Sequence, residues 1–288
     1  MNTQEQLTRY QRMVEDALTA LPMAGAPDKL KDAMRYSLLS GGKRLRGCLT
    51  LAACEMGGGQ LEDALPFAAA IEMIHAYSLI HDDLPAMDND TLRRGKPTSH
   101  VVYGEAVAIL AGDGLLTHAF EVMAASKHPR AFRALGEIAR AAGVGGMLAG
   151  QTLDVTMEGS APDIALVYQI HKGKTAALLT APVTAGLILA GAREFEIGAG
   201  RAYGHHLGMA FQIVDYLLDL EGDPALMGKT LGKDAAEGKL TWPACVGVEQ
   251  ARRDAENHIR AAAEALTPFG NAAEFLQGLA FSTLHRVQ

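Results

Sequence analysis

Two stretches of this sequence are apolar nearly all the way round a helix, and both end in aspartates. Residues 64–80 and 204–220 offer almost no polar face to solvent, and a helix of that kind belongs in the middle of a large bundle. Few segments alternate apolar with polar residues as a half-buried strand does. The sequence therefore predicts an all-α protein whose two central helices carry acids at their carboxyl ends.

The remaining helices are bounded by Gly, Pro, Asp or Ser, as helix termini commonly are. The predicted helices cover residues 4–21, 29–39, 45–56, 62–81, 105–126, 129–142, 147–157, 163–191, 194–220, 240–266 and 272–277. Residues 222–238 read as a glycine-containing loop, and long ordered loops are often functional. Since neither an internal repeat nor a linker interrupts the pattern, we expect one domain spanning residues 1–288.

Charge and composition exclude several classes of protein. The formal net charge is −7, which argues against general nucleic-acid binding because no excess of Lys or Arg is available for phosphates. Three cysteines lack metal-ligand spacing and are too few for a disulfide framework. The polar N-terminus does not resemble a signal peptide, and no uncharged apolar run reaches the roughly 18 residues of a membrane span. We expect a cytoplasmic protein with free thiols.

The second acidic cluster lies in the stretch FQIVDYLLDL. Asp215 and Asp219 are four residues apart and share one helix face, with Gln212 one turn earlier. Acids at a helix carboxyl end oppose the macrodipole, so a nearby positive charge is required.

The first acidic cluster lies in the stretch IHDDLPAMDNDTLRRGKPT. Asp82 and Asp88 are six residues apart, about 240° around an ideal helix, so they converge only if the helix ends or bulges between them. Pro85 is suited to enforce that end. Magnesium suits two such clusters because it takes one or two carboxylates and completes its shell with water and substrate phosphates. The clusters therefore predict a phosphorylated substrate.

Compact groups of cations accompany the acids, and Arg and Lys are the side chains that bind phosphates. They are Lys43, Arg44, Arg46, Arg93, Arg94, Lys172, Lys174, Lys229, Lys233 and Lys239. GKT occurs twice, but Tyr168 and Asp223 stand where a P-loop requires its first glycine, and a predicted helix precedes each GKT. The sequence therefore gives little support to a nucleotide-hydrolysing P-loop.

Taken together, these motifs resemble the trans-isoprenyl diphosphate synthases, in particular bacterial farnesyl diphosphate synthases. GGKRLR at 41–46, EMIHAYSLIHDDLPAMDNDTLRRGKPT at 72–98, GQTLD at 150–154, HKGKT at 171–175, FQIVDYLLD at 211–219 and GKDAAEGK at 232–239 occur in the family's order. The resemblance implies a large helical bundle around a central cavity, the isoprenoid synthase type I fold. It also implies a homodimer and small-molecule diphosphate substrates, with three magnesium ions bound alongside the substrate.

The resemblance implies a role for each matching position. The metal ligands would be Asp82, Asp88 and Asp215. Side chains supporting the waters and geometry around the metal would be Asp83, Gln151, Asp154 and Asp219. The allylic diphosphate would contact Arg93, Lys174, Thr175, Gln212, Lys229 and Lys239. Isopentenyl diphosphate would contact Lys43, Arg46, His75 and Arg94. Asp82, Asp88, Arg93, Lys174 and Asp215 would carry the catalytic step.

Two further features bear on the product and the rate. In the family that this chain resembles, an aromatic residue five places before the first aspartate forms the floor of the cavity and stops elongation. Tyr77 occupies that place, and Ser78 lies one turn beneath Asp82. The expected product is farnesyl diphosphate, and geranylgeranyl diphosphate is the alternative. Tyr216 stands where the family's second motif has its second aspartate. Because of this departure, a second hypothesis is a weakly active or regulatory subunit of a two-component synthase. A third hypothesis is a terpene cyclase, which needs no isopentenyl diphosphate.

Overall fold

The computed structural model describes residues 2–221 and 239–284, and this part of the chain is almost entirely helical. The helices are α1 Thr3–Thr19, α2 Asp28–Leu38, α3 Leu45–Met56, α4 Leu61–Asp82, α5 Ser99–Tyr103, α6 Glu105–Ala124, α7 Ala131–Ala142, α8 Met147–Thr156, α9 Ile164–His171, α10 Ala177–Ala190, α11 Glu194–Glu221, α12 Trp242–Val246, α13 Val248–Ala265 and α14 Glu274–Leu284. A π-helical turn, Lys172–Ala176, joins α9 to α10, and a 3₁₀ segment, Thr267–Ala273, precedes α14. The predicted all-α class is confirmed.

The two apolar stretches form the central helices, as predicted. In α4 the side chains from Phe67 to Ile74 are all buried, and α11 is buried along most of its second half. Helix α4 packs against α3 and α6, whereas α11 packs against α10 and α13. Their apolar surfaces are thereby covered on several sides, which is the arrangement that uniformly apolar helices require.

Glycines allow helix backbones to approach closely in this core. A Cβ atom on Gly186 of α10 would lie 2.3 Å from the carbonyl oxygen of Thr50 in α3, and one on Gly208 of α11 would lie 2.4 Å from Cα of Ala176. Any larger side chain at these positions would separate the helices. The close approach holds α11 against the π-helical turn, whose neighbouring residues contribute to the site described below.

Two predicted helices are interrupted in the structure. The predicted helix 163–191 divides into α9, the π-helical turn and α10, because hydrophobic periodicity does not register one extra residue in a turn. The predicted helix 240–266 breaks at Gly247, whose φ of 82° lies in the left-handed region and ends α12. The predicted helix 272–277 extends to Leu284.

A short hairpin after the first acidic cluster was missed by the sequence analysis. Strands β1, Leu92–Arg93, and β2, Lys96–Pro97, pair antiparallel, and the two-residue turn between them has positive φ at both Arg94 (53°) and Gly95 (73°). Positive φ at both central residues is the geometry of a type I′ turn. The hairpin fixes where Arg93 and Arg94 project relative to α4.

Among the residues that the structure describes, two helical segments are long and apolar enough to cross a bilayer by length and composition alone. The segment Ile164–Ala190 is 72% buried inside the bundle, so it belongs to the core, whereas α6 is only 33% buried. Criteria of length and composition do not distinguish a membrane span from the core helix of a soluble protein. The sparse burial of α6 leaves an apolar surface on the outside of the chain.

Candidate active site

Helix α4 ends where the first acidic cluster begins. Its last residue is Asp82, and the chain then folds back so that the amide of Asp88 donates a hydrogen bond of 2.9 Å to the carbonyl oxygen of Asp82. The helix thus ends three residues before Pro85, and the return of the chain brings the two aspartates together, as the sequence predicts. Both face a region that also contains Lys239, whose ammonium lies 3.5 Å from Asp88 Oδ1.

The electrostatics of this pair call for a cation. Burial raises the pKa of Asp82, Lys174 lowers it, and the carboxylate of Asp88 raises it again. A raised pKa marks a site where negative charge is poorly compensated.

Magnesium fits the donors that are present. Both side chains offer hard oxygen ligands, and within residues 2–221 and 239–284 no three acids, cysteines or histidines enclose a metal position by themselves. Magnesium is a hard cation that takes one or two carboxylates and completes its shell with water and substrate phosphates, which suits this donor set.

Three separate hydrogen bonds, joined through α8 and the π-helical turn, lead from the first acidic cluster to the helix of the second. The amide of Gln151 donates to Asp82 Oδ1 at 2.5 Å. One turn along α8, Asp154 accepts a charged hydrogen bond of 2.6 Å from Lys174. The next residue, Thr175, donates to Gln212 Oε1 at 2.5 Å. Helices α4, α8 and α11 and the π-helical turn thus meet through polar side chains.

Lys174 is the central cation of this series. Burial lowers its pKa, but the charges of Asp154 and Asp82 raise it by more, so the net shift is upward. Its ammonium remains protonated while positioned between two acids. A fixed positive charge beside Asp82 suits a ligand whose phosphate oxygens are also bound by metal ions.

The second acidic cluster lies on α11, one turn beyond Gln212. Asp219 is buried and Asp215 is partly exposed. Burial lowers the pKa of Arg46, whereas the charges of Glu72 and Asp215 raise it. The electrostatic contact with Arg46 connects Asp215 to the cationic region at the start of α3.

Tyr216 is rotated away from these acids into an aromatic cluster. It is 7% exposed, and its ring lies 5.4 Å from that of His171, which in turn lies 5.6 Å from the ring of Trp242. Both ring nitrogens of the fully buried His171 lack a hydrogen-bond partner among the described residues, and burial lowers the pKa of His171 to about 3. The imidazole is therefore neutral, and the cluster is held by packing.

A second group of cations surrounds His75 on α4. Burial lowers the pKa of His75 well below its usual value, and the charges of Arg46, Arg94 and Arg93 lower it further. A neutral histidine among three guanidinium groups leaves a positively charged region with a polar, uncharged hydrogen-bonding group. Such a region suits a second anionic ligand.

Glu72 and Arg44 organise this region. The buried carboxylate of Glu72 accepts a hydrogen bond of 2.9 Å from the amide of Gly47, a bond that a proline at that position would not provide. Arg44 is nearly buried and donates hydrogen bonds to Glu15 and to the carbonyl oxygen of Leu38. Its guanidinium group therefore links α1 to the end of α2. Neither Glu15 nor Glu72 was predicted from the sequence to belong to the site. The position of Glu72, an acid one turn before His75 in an otherwise apolar helix, could have indicated its role.

The two adjacent arginines have different partners. Arg93 binds Asp83 through Nε at 2.8 Å and through Nη2 at 2.6 Å, and burial raises the pKa of Asp83 while this arginine lowers it. Arg94 instead donates to the carbonyl oxygen of Gly41. The structure thus brings the loop at 41–42 and the hairpin together on one side of α4.

The residues expected to limit product length lie lower on α4. Tyr77 is 5% exposed, and its ring meets that of His81 edge-on at 5.7 Å. The hydroxyl of Ser78 donates to the carbonyl oxygen of His75 at 2.9 Å. His81 itself contacts the carbonyl oxygen of Ile109 on α6 at 3.0 Å, so the ring against which Tyr77 packs is held to the neighbouring helix.

Some expected residues are not tested by these contacts. Lys43 is exposed, and its carbonyl oxygen accepts a hydrogen bond from Gln11. Lys229, Lys233 and the loop predicted at 222–238 lie outside the described residues. The GKT at 173–175 falls in the π-helical turn and follows a helix, so it lacks the strand that precedes a P-loop.

This chain is similar to known proteins in its family, its sequence and its fold. The model of the polyprenyl synthetase family matches residues 27–274. A geranylgeranyl diphosphate synthase of Cyanophora paradoxa is 45% identical over 271 residues, which cover 92% of this chain and 90% of that protein.

Solved structures agree with the sequence relatives. A putative farnesyl-diphosphate synthase from Marinomonas has a TM-score of 0.85 at 36% identity and covers 99% of both chains. A geranylgeranyl pyrophosphate synthetase from Pyrococcus horikoshii has a TM-score of 0.90 at 32% identity and covers 98% of this chain and 99% of that one.

The packing of Tyr216 generates a prediction about stability. Because its ring fills a buried position against His171, Tyr216→Ala should lower the free energy of unfolding by about 3 to 5 kcal/mol. Tyr216→Phe keeps the ring and should cost no more than about 1.5 kcal/mol, the contribution of one hydrogen bond. Denaturant unfolding of both variants measures the difference, and equal stabilities would show that the ring does not contribute to the core.

Proposed function

The chain belongs to the polyprenyl synthetase family of prenyltransferases, and we propose that it condenses isopentenyl diphosphate with dimethylallyl and geranyl diphosphate to make mainly farnesyl diphosphate. The observation that carries the proposal is the pairing of Asp82 with Asp88 beside Lys174 and Lys239. Two carboxylates with an incomplete metal shell, next to fixed ammonium groups, suit an allylic diphosphate bound through metal ions. The match to residues 27–274 supports a single catalytic domain.

In the first step, the allylic C–O bond breaks and negative charge accumulates on the departing diphosphate. Magnesium held by Asp82, Asp88 and Asp215 would supply Lewis-acid stabilisation of that charge. The ammonium of Lys174, already fixed by Asp154, is positioned to bind the same phosphate oxygens without reorganisation. Gln151 holds the Asp82 carboxylate in one orientation.

In the second step, the double bond of isopentenyl diphosphate attacks the allylic carbocation, a C–C bond forms and a proton is lost to the released diphosphate. The region around Arg46, Arg94 and His75 suits the diphosphate of this second substrate. Neutral His75 donates or accepts a hydrogen bond without adding charge, and Glu72 fixes the start of α3 through the amide of Gly47. No protein nucleophile is required.

Product length is the part of the proposal on which the relatives differ. Tyr77, buried beneath the first acidic cluster, supports a short cavity and a farnesyl product, and the solved Marinomonas structure is described as a putative farnesyl-diphosphate synthase. The relatives from Cyanophora and Pyrococcus carry geranylgeranyl names. Geranylgeranyl diphosphate is therefore the second candidate product.

Tyr216 supports a further alternative, a weakly active or regulatory subunit. Asp215 and the first acidic cluster are intact, so the proposed metal ligands do not depend on position 216. We favour an active enzyme in the cytoplasm.

The primary prediction concerns turnover. Incubation with isopentenyl diphosphate and geranyl diphosphate should give a farnesyl product that requires magnesium and disappears with a chelator, as measured by radiolabelled product sizing. Consumption of the allylic substrate without isopentenyl diphosphate would indicate a terpene cyclase instead.

A matched pair of variants controls this assay. Asp82→Asn should lower kcat/KM by about 100-fold or more because it removes one charged metal ligand. Asp63→Asn, at the exposed first turn of the same helix, should leave turnover unchanged. Equal rates for the two variants would contradict the assignment of Asp82.

A second prediction tests the floor of the cavity. Tyr77→Ala removes the buried ring and should shift the product distribution towards chains longer than farnesyl diphosphate, whereas Tyr77→Phe should leave it unchanged because the ring is retained. Chromatography of the dephosphorylated products measures the chain lengths. If Tyr77→Ala yields the same products, another side chain sets the length.

We also propose that the chain forms a homodimer through α5 and α6. The exposed side chains there include Val101, Val102, Ile109 and Leu110, with exposures of 51%, 46%, 42% and 57%. Helices α5 and α6 pack against each other, and exposed apolar side chains grouped on neighbouring helices are characteristic of an interaction site. A second copy of the chain offers the same surface, as a two-fold interface requires.

The interface is tested by charge insertion. Ile109→Arg should shift the mass measured by light scattering from dimer to monomer, because a buried unpaired charge is costly at an interface. Phe281→Arg on α14 is the control, since Phe281 is 43% exposed but lies on a different helix. A dimer that survives Ile109→Arg at micromolar concentration would place the interface elsewhere.

A further inference from the structure

A separate cavity of about 560 Å³ lies where α7, α8, α11 and the π-helical turn meet. On α8 it is bordered by Ala149, Gly150 and Leu153, whereas Gln151 and Asp154, which serve the candidate active site, project from another face of the helix. Ligand cavities typically measure 300–1,000 Å³. The volume is therefore sufficient for a small organic ligand.

The charge around this cavity is positive in a chain whose overall charge is negative. Its described lining includes three cations, Arg140, Lys172 and Arg201, and one acid, Glu137. Glu137 lies 2.5 Å from Arg140 and 3.4 Å from Arg201, so it holds two guanidinium groups at one edge. Three cations against one acid leave a net attraction for an anion.

A helix amino terminus adds to this attraction. Helix α8 begins at Met147, and its N-cap residue Gly146, which borders the cavity, provides no side-chain hydrogen bond to the first turn. Amide groups left open at a helix amino terminus bind phosphate groups. The cations and the helix end thus converge on the same kind of ligand.

The rest of the described wall combines small apolar side chains with polar ones, among them Gln169, Thr180 and His205. Ala149, Leu153, Ala177 and Ala181 line it, and these short side chains leave room for hydrocarbon next to the cationic edge. A ligand with an anionic head and a short apolar body uses both surfaces. Short prenyl diphosphates have that chemistry.

The cavity also adjoins the active-site backbone. A Cβ atom on Gly150 would lie 2.0 Å from the backbone nitrogen of Lys174, and one on Gly173 would lie 2.8 Å from Cα of Gly150. Helix α8 and the π-helical turn are therefore in direct backbone contact between the cavity and Lys174. An occupant of the cavity would press on the elements that position this lysine.

We propose that this cavity is a second binding site for a diphosphate group, carried by a short prenyl diphosphate or present as free inorganic diphosphate. The choice of ligand rests on the proposed function, which makes both compounds local to the protein. The cavity is distinct from the candidate active site because its cations, Arg140, Lys172 and Arg201, belong to none of the contacts around Asp82 or Asp215.

Calorimetric titration of the full chain with geranyl diphosphate, in magnesium and without isopentenyl diphosphate, tests the proposal. The variant Arg140→Ala/Lys172→Ala/Arg201→Ala should lose one binding event per chain, or weaken it at least about tenfold, the effect of losing one charge-assisted hydrogen bond. The variant Lys127→Ala/Arg133→Ala/Arg193→Ala removes the same charge from other exposed positions and should titrate like the original chain. Identical titrations for all three proteins would overturn the proposal.

A parallel titration with inorganic diphosphate distinguishes the two sources of the group. Tighter binding of geranyl diphosphate at the cavity would assign the site to prenyl diphosphates, whereas equal affinity would assign it to the diphosphate alone. Product assays on the same proteins keep the two proposals separate. A chain that makes no prenyl product would refute the proposed function, and the calorimetric comparison would still decide whether the cavity binds diphosphate.

Discussion

Two carboxylates held close together in a partly buried site must be compensated by positive charge, and this constraint organises the structure around Asp82. Burial and the neighbouring Asp88 both raise the pKa of Asp82. The cations that lower this pKa must therefore lie close to the carboxylate. Two lysines provide this compensation. Lys174 lies in the π-helical turn, and Lys239 lies more than 150 residues after Asp82 in the chain. The apolar helix α4 brings the acids to this position, and the polar contacts determine what surrounds them.

The π-helical turn is the element that makes these contacts compatible with close helix packing. An ordinary α-helical connection between α9 and α10 would rotate Lys174 and Thr175 relative to their partners on α8 and α11. In the structure they bind Asp154 and Gln212 simultaneously, while Gly173 faces Gly150 at backbone distance. The turn therefore serves two surfaces at once, since Lys174 and Thr175 bind Asp154 and Gln212 whereas Lys172 and Gly173 border the second cavity.

Much of this arrangement could be predicted from sequence because it follows from strong local signals. The uniformly apolar stretches predicted the central helices, and the six-residue spacing with Pro85 predicted that the first of them ends or bulges between Asp82 and Asp88; α4 ends at Asp82. The π-helical turn and the break at Gly247 could not be predicted, since neither alters hydrophobic periodicity over a window. Glu72 was missed because a single acid in an apolar helix has no motif, and its partner is a backbone amide 25 residues away. The second cavity was beyond reach for a similar reason: Arg140, Lys172 and Arg201 come together only in the folded chain.

Tyr216 illustrates how a departure from a motif can be absorbed by packing. Successive residues on α11 are rotated by about 100°, so Asp215 and Asp219 share a face that position 216 does not. A second carboxylate at 216 would point towards His171, which is fully buried and neutral, and would need that imidazole to become charged or to donate a hydrogen bond. A tyrosine ring meets the same imidazole by stacking, without any requirement for charge. The ring at position 216 therefore packs against His171, on a side of α11 that Asp215 and Asp219 do not share, and the acids of the second cluster keep their common face without a carboxylate at 216.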